Sequence, residues 1–315
     1  LSSNFIYLIC YISLFACGGH WCYQSQKYEL TNCEEPRKWY LINNTCKESK
    51  QSPINIVTKN VIYDDSLKPL NFEGYDVKGS SKWNIENNGH TVKATFSTTA
   101  KIGGGGLKKK YKAIELHFHW GVQDMYYLPG SEHSIDGEKT AMELHIVHIR
   151  EDLSDIIEAK KNENGIAVLA FFIEVAACED QNKQSCSRHL LKLYSCTVCP
   201  GNVGQMDPLP LFSLLPNEDD LAKYYRYTGS LTTPDCHEGV IWTVFEKPVA
   251  LSLAQVSQFS VLHFGDNKST NMVENFRPVQ PLNDRSIYWS GASLPRPSAQ
   301  VLMLLSVLTY ILSSL

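Results

Sequence analysis

Residues 114–120 read Ile-Glu-Leu-His-Phe-His-Trp, a run in which charged or imidazole side chains alternate with apolar ones. In an extended strand, successive side chains point to opposite faces. Glu115, His117 and His119 therefore share one face, and Ile114, Leu116, Phe118 and Trp120 form an apolar opposite face. Two imidazoles two residues apart reach one metal ion from one side of a sheet. Glu143-Leu144-His145 repeats the pattern and offers a third imidazole with a carboxylate beside it. Neutral imidazole is a good zinc ligand, and three of them leave the fourth tetrahedral position open to water. Neighbouring carboxylates orient such ligands through their outer ring nitrogens. His133 and His148 compete as third ligand, since spacing excludes neither. His148 lies on the opposite strand face from His145, which counts against those two acting together.

Such groups need strands to carry them, and the chain supplies candidates. Residues 114–120, 141–150, 166–175 and 240–245 are strand-length, alternating or apolar, and punctuated by Gly, Asn or Pro. Helical periodicity is weak, with residues 216–225 and 252–262 the best short helices. Four glycines, Gly103 to Gly106, precede Lys108-Lys109-Lys110. A phosphate loop needs Gly-Lys-Ser/Thr opening a helix, so this run reads instead as a hairpin connection. No repeat, heptad pattern or long linker divides residues 20–290, which predicts one domain. The 315 residues carry 29 Lys plus Arg against 33 Asp plus Glu, a net charge of -4. That balance argues against nucleic acid as a partner, and 43% hydrophobic content excludes a disordered chain.

The ends predict secretion and anchoring. Residues 1–19 are uncharged, apolar over 5–15, and followed by small residues, as in a signal peptide lacking its basic start. Ser290-Gly291-Ala292, a polar spacer and the apolar residues 301–315 match a glycolipid (GPI) anchor signal, with Ser290 as attachment point and 291–315 as propeptide. The 15-residue tail is short for crossing about 30 Å of hydrocarbon. Eight of ten cysteines remain in residues 20–290, an even set that predicts disulfides. Asn43 and Asn267 head glycosylation sequons.

Ordered motifs along residues 20–290 carry a family resemblance. They are His20-Trp21-Cys22-Tyr23, Gln51-Ser52-Pro53-Ile54-Asn55-Ile56, Asn87-Asn88-Gly89-His90 and Leu116-His117-Phe118-His119-Trp120-Gly121. Gly130-Ser131-Glu132-His133, 143–148, Gly229-Ser230-Leu231-Thr232-Thr233-Pro234, Trp242 and Asn275-Phe276-Arg277-Pro278 complete the set. With these the chain resembles the α-carbonic anhydrases, and most closely their extracellular, GPI-anchored type IV-like and type XV-like members.

The resemblance implies an α+β, mainly β domain: one twisted, mostly antiparallel sheet of about ten strands with peripheral short helices and the metal at the bottom of a cone. It implies Zn²⁺ on His117, His119 and His145, with Glu115 and Glu143 behind the ligands. It makes Glu132 the partner of Thr232, which would aim a zinc-bound hydroxide at CO₂, and makes His90 the proton shuttle. Val147, Val168, Leu231, Thr232, Thr233 and Trp242 would line the CO₂ site, while Tyr23 and Asn88 order water. The implied product is bicarbonate, made by a monomer at the outer face of the plasma membrane. Cys22–Cys33 and Cys46–Cys236 are the implied disulfides. Cys178, Cys186, Cys196 and Cys199 match nothing in the family and allow three pairings.

Two departures stand out. Glu115 occupies a usual Gln position, which predicts a metal-bound water that ionises at higher pH. Lys93 replaces a neutral polar residue, and a cation near His90 would disfavour its imidazolium. A catalytically silent binding module on the same fold is the alternative function. Such modules lose a ligand histidine, and all three are present. A cupin-type oxygenase needs Glu four residues after the second histidine, and that position is Gln123.

Overall fold

The two histidine-bearing segments are adjacent, antiparallel strands at the centre of a large sheet, as their alternation requires. The computed structural model describes residues 20–27, 32–122, 128–176, 203–265 and 270–291. The predicted signal segment 1–19, Gln123, the four unplaced cysteines, Asn267 and residues 292–315 lie outside the described residues.

In chain order the strands begin with β1 (His20–Trp21), β2 (Cys33–Glu34), β3 (Asn55–Ile56), β4 (Ile62–Tyr63) and β5 (Leu70–Glu73). Then come β6 (Trp83–Asn87), β7 (Val92–Thr95), β8 (Lys101–Gly104), β9 (Tyr111–Trp120), β10 (Ser134–Ile135) and β11 (Met142–Arg150). The last are β12 (Ile166–Val175), β13 (Val203–Met206), β14 (Tyr224–Ser230), β15 (Glu238–Leu251) and β16 (Tyr288–Trp289). One 12-stranded sheet runs β13-β6-β7-β9-β11-β12-β15-β14-β16-β4, with β5 and β8 off that path. Most pairs are antiparallel. The β12–β15 pair is parallel, so the sheet is mixed at its centre.

Both faces of the central strands are covered. Leu116, Phe118, Leu144 and Phe171 are fully buried on one side, and Val168, Ala170 and Trp242 on the other. Each large apolar side chain so buried contributes about 1.5–3 kcal/mol. The glycine run makes the predicted hairpin between β8 and β9, with Gly104, Gly105 and Gly106 all at positive φ.

The predicted helices fare less well. Residues 216–225 form only a 3₁₀ turn, Glu218–Ala222, because Tyr224 and Tyr225 pair with β15 instead. Residues 252–262 break into α3 (Leu253–Ser257) and a 3₁₀ turn, Phe259–Val261. Ser252 and Gln255 start α3 with a capping box. The buried Phe259 ring then packs on Phe118 and Trp120, which fixes where the chain turns. The other helices are α1 (Gln24–Lys27) and α2 (Ile156–Lys160). Among the described residues no helix is long and apolar enough to cross a membrane.

Both implied disulfides form. Cys22–Cys33 closes a short loop, and Cys46–Cys236 joins positions 190 residues apart. Asn43 caps a 3₁₀ turn, its Oδ1 accepting from Thr45 N at 3.0 Å. Ser290 ends the sheet: its N–H donates to Tyr224 O (3.1 Å) and its hydroxyl to Ala222 O (2.9 Å).

Candidate metal centre

Sheet register assembles the site in rows. Lys93, His117, His145 and Ala170 lie opposite one another on β7, β9, β11 and β12. The next row is Thr95, Glu115, Val147, Val168, Trp242 and Tyr227. His119 faces Glu143 in the row on the other side. Because side-chain period is two, these rows share a face.

Each imidazole is held by its outer nitrogen. His119 Nδ1 donates to Asn275 O at 2.8 Å, and His145 Nε2 donates to Glu143 Oε1 at 2.7 Å. His117 Nδ1 lies 3.5 Å from Glu115 Oε1. A carboxylate or carbonyl oxygen only accepts, so those nitrogens carry the protons and the inner ones carry lone pairs. His117 Nε2, His119 Nε2 and His145 Nδ1 are therefore the free ligand atoms, and one such atom per residue lies within 4.8 Å of the others. The buried His119 Nε2 makes no hydrogen bond among the described residues, and His145 Nδ1 is 3.3 Å from His117 Nε2. Lone pairs so opposed fit a shared cation, and an all-nitrogen, three-ligand set suits Zn²⁺ with an open position. Burial, and then the neighbouring histidines, hold His119 neutral down to about 3; burial does the same for His145 down to about 4. Both rings are thus ready as neutral ligands.

His133 is near but engaged at both nitrogens. Nδ1 donates to Glu143 Oε1 (2.6 Å) and Nε2 meets Tyr227 Oη (2.7 Å), which in turn meets Ser52 Oγ (2.8 Å). His148 faces away, with Nδ1 on Ile146 O (3.0 Å) and Nε2 on Tyr75 Oη (2.5 Å). Burial would raise the Glu143 carboxyl, but the charges and hydrogen bonds of His133 and His145 hold it well below the usual range.

Glu132 is fully buried. Its Oε1 accepts from Arg277 N (2.8 Å), and Oε2 lies 3.4 Å from His119 Nε2 beside the Thr232 hydroxyl. Burial pushes this carboxyl up, while His145, the Arg277 amide and Thr232 pull it down. Val147, Val168, Leu231, Trp242, Thr232 and Thr233 meet beside His117 and His145 around a cavity of about 120 Å³. The first four make its wall mainly apolar.

His90 stacks on Trp21 with ring centres 3.8 Å apart, edge-on to Tyr23 at 6.2 Å and 6.0 Å from the exposed His20. Burial, and secondarily His20, lower it to about 4. Asn88 Oδ1 accepts from the backbone N–H groups of His90 (3.0 Å) and Thr91 (2.9 Å), so it shapes the loop. Gly89 is obligatory there: φ is +85° and a Cβ would come within 2.9 Å of Gly265 Cα. Lys93 does not oppose His90 but turns to Glu115, Nζ to Oε2 at 3.9 Å, both side chains about a quarter exposed (27% and 25%).

A model of eukaryotic-type carbonic anhydrase matches residues 34–291. The chain belongs to the eukaryotic-type carbonic anhydrase family. It is 41% identical to carbonic anhydrase 4 of Oryctolagus cuniculus over 288 residues, covering 90% of this chain and 89% of that one. It is 39% identical to carbonic anhydrase 4 of Rattus norvegicus over 300 residues, 93% of each. Carbonic anhydrase 15 of Mus musculus is 38% identical over 293 residues, 90% of this chain and 87% of that one. The protein is a carbonic anhydrase, an enzyme of the carbon dioxide–bicarbonate interconversion.

Sequence reasoning assigned no role to several residues of this carbonic anhydrase site. Asn275 seats His119 and also bonds Trp120 N and His90 O, and Arg277 ties Glu132 to Gln51, Ser52 and Cys46. Their motif, 275–278, was the one available signal. Ile156 and Lys160 also line the cavity, and nothing local in the sequence marks them.

Proposed function

We propose that the protein is a zinc enzyme that hydrates carbon dioxide at the outer membrane surface, tethered through Ser290, with residues 20–290 as its catalytic domain and 291–315 as the anchor propeptide. The observation that carries the zinc reading is the convergence of the three free imidazole nitrogens, each with its outer nitrogen against an acceptor. Bound there by His117, His119 and His145, zinc supplies the Lewis acidity that lets a water ionise near neutral pH, behaviour for which carbonic anhydrase is itself the reference case.

The chain's own groups do the rest. Glu132, an acceptor when ionised, takes the Thr232 hydroxyl proton in a hydrogen bond, leaving the Thr232 oxygen to accept from the nucleophile and aim it. Thr233 lies next to it on the cavity wall. Val147, Val168, Leu231 and Trp242 hold apolar CO₂ without competing hydrogen bonds. Glu143 keeps His145 in the ligating tautomer. His90 moves the released proton to solvent, and with Trp21 stacked on it and burial disfavouring its charge, it does so by swinging off the indole toward water. Tyr23 and Asn88 border that path. Asn43 and Asn267 carry glycans. The protomer acts alone, and no nucleic acid is involved.

Stopped-flow CO₂ hydration on the purified protein, before and after chelation, tests this. Activity lost with the metal and regained with Zn²⁺ is expected; a zinc-loaded, folded, inactive protein would favour the silent binding module. Release of the protein from intact cells by a phosphatidylinositol-cleaving phospholipase tests the anchor, and retention on the cells would sink it.

A further inference from the structure

The cavity is bounded on one side by a helix and on the other by a loop, and an ion pair joins them. Lys160, the last residue of α2, sends Nζ to Asp235 Oδ1 at 2.9 Å. Its helix-mate Ile156 lines the same cavity, while Leu231, Thr232 and Thr233 line it from the Asp235 side. The backbone behind each end of this strap is held, buried Ala159 packing α2 on the core, while the paired side chains themselves are part-exposed. Asp155 caps α2 by accepting from Glu158 N (2.8 Å), and the residue after Asp235 is Cys236, bonded to Cys46. A strap between two held supports limits the width of the opening between them. The cavity, open on one side and about 120 Å³ in volume, is well below the roughly 300–1,000 Å³ of sites that take drug-sized molecules.

We propose that the Lys160–Asp235 pair is a size filter, a specificity determinant that keeps substrates bulkier than carbon dioxide, such as aryl esters, away from the apolar wall beside His117 and His145. This rests on the CO₂-hydrating reading above. Among the described residues Lys160 and Asp235 make no hydrogen bond or ion pair to His117, His119, His145, Glu132 or Thr232, and the Lys160 charge that is felt at Glu115 acts on both substrates alike. Their effect falls on which substrate reaches those groups.

The test compares kcat/KM for para-nitrophenyl acetate with that for CO₂, on the intact zinc-loaded protein. In the ester reaction water adds hydroxyl to the acyl carbon, nitrophenolate leaves and the proton goes to buffer. Lys160→Ala, which suits a helix end, is expected to raise the ester-to-CO₂ ratio about tenfold, the scale set by a change of one small group in a pocket. Asp235→Asn, which keeps the shape and breaks the ion pair, is expected to raise it by a smaller factor. Lys160→Arg, which keeps the pair, is expected to leave the ratio at the parent value. A ratio within twofold of the parent in both folded, zinc-loaded pair-breaking variants overturns the filter and leaves the enzyme reading intact. A parent protein inactive on CO₂ overturns both.

Discussion

At the residue scale, the three candidate ligands are held with unequal security. Asn275 O and Glu143 are buried acceptors at 2.8 and 2.7 Å, whereas Glu115 is quarter-exposed at 3.5 Å and shared with Lys93. Glu143→Ala is expected to cost about 10–100-fold in zinc affinity, read by competition with a chromogenic chelator; an unchanged affinity would refute that role. Glu115 and Lys93 bring opposite charges to one corner of the cavity. Removing the negative charge favours ionisation near the metal and removing the positive charge opposes it. Glu115→Gln is therefore expected to lower the midpoint of the pH–rate profile, Lys93→Gln to raise it, and the double variant to return near the parent. Equal midpoints in all four proteins would show that neither charge reaches the reaction. The sequence showed both departures separately, and only the tertiary structure, in which Lys93 pairs with His117 across β7 and β9 and reaches diagonally to Glu115, shows that their charges meet.

At the scale of elements, β11 carries two histidines with opposite fates. His145 faces the site, whereas His148, three residues on, points into the other core and lies between Ile146 O and Tyr75. Burial lowers His148 to about 3. A histidine depressed below its ordinary pKa in the folded state stabilises the fold above the unfolded value of about 6.5, and that contribution is lost as pH falls toward 3. Melting temperature is expected to drop over that window, and more gently in His148→Gln. Parallel melting curves for the two proteins would show that His148 contributes nothing. Strand alternation made this division of β11 legible in advance. The helices were less legible, because residues 216–225 and 252–262 carry only weak helical patterns, which lose to sheet pairing by Tyr224 and Tyr225 and to burial of Phe259.

At the scale of the whole molecule, Cys46–Cys236 ties the N-terminal region to the loop that carries Thr232 and Asp235. Replacing both cysteines with serine is expected to cost about 2–5 kcal/mol of stability, measured by denaturant unfolding, and to widen substrate range along with it. A destabilised variant with unaltered ester-to-CO₂ selectivity would separate the disulfide from the filter. What the sequence by itself determined is the chemistry of each strand: period-two alternation puts Glu115, His117 and His119 on one face and Glu143 with His145 on another, while leaving the third ligand open between His145 and His133. Tertiary structure decided everything that depends on a partner remote in the chain. It engaged His133 with Tyr227 and left the lone pair on His145 instead, gave His119 the carbonyl of Asn275, 156 residues away, turned Lys93 from His90 to Glu115, and closed Lys160 onto Asp235. Local pattern records which way a side chain points, but the group it meets is set by sheet register and loop packing, which no short stretch of sequence contains.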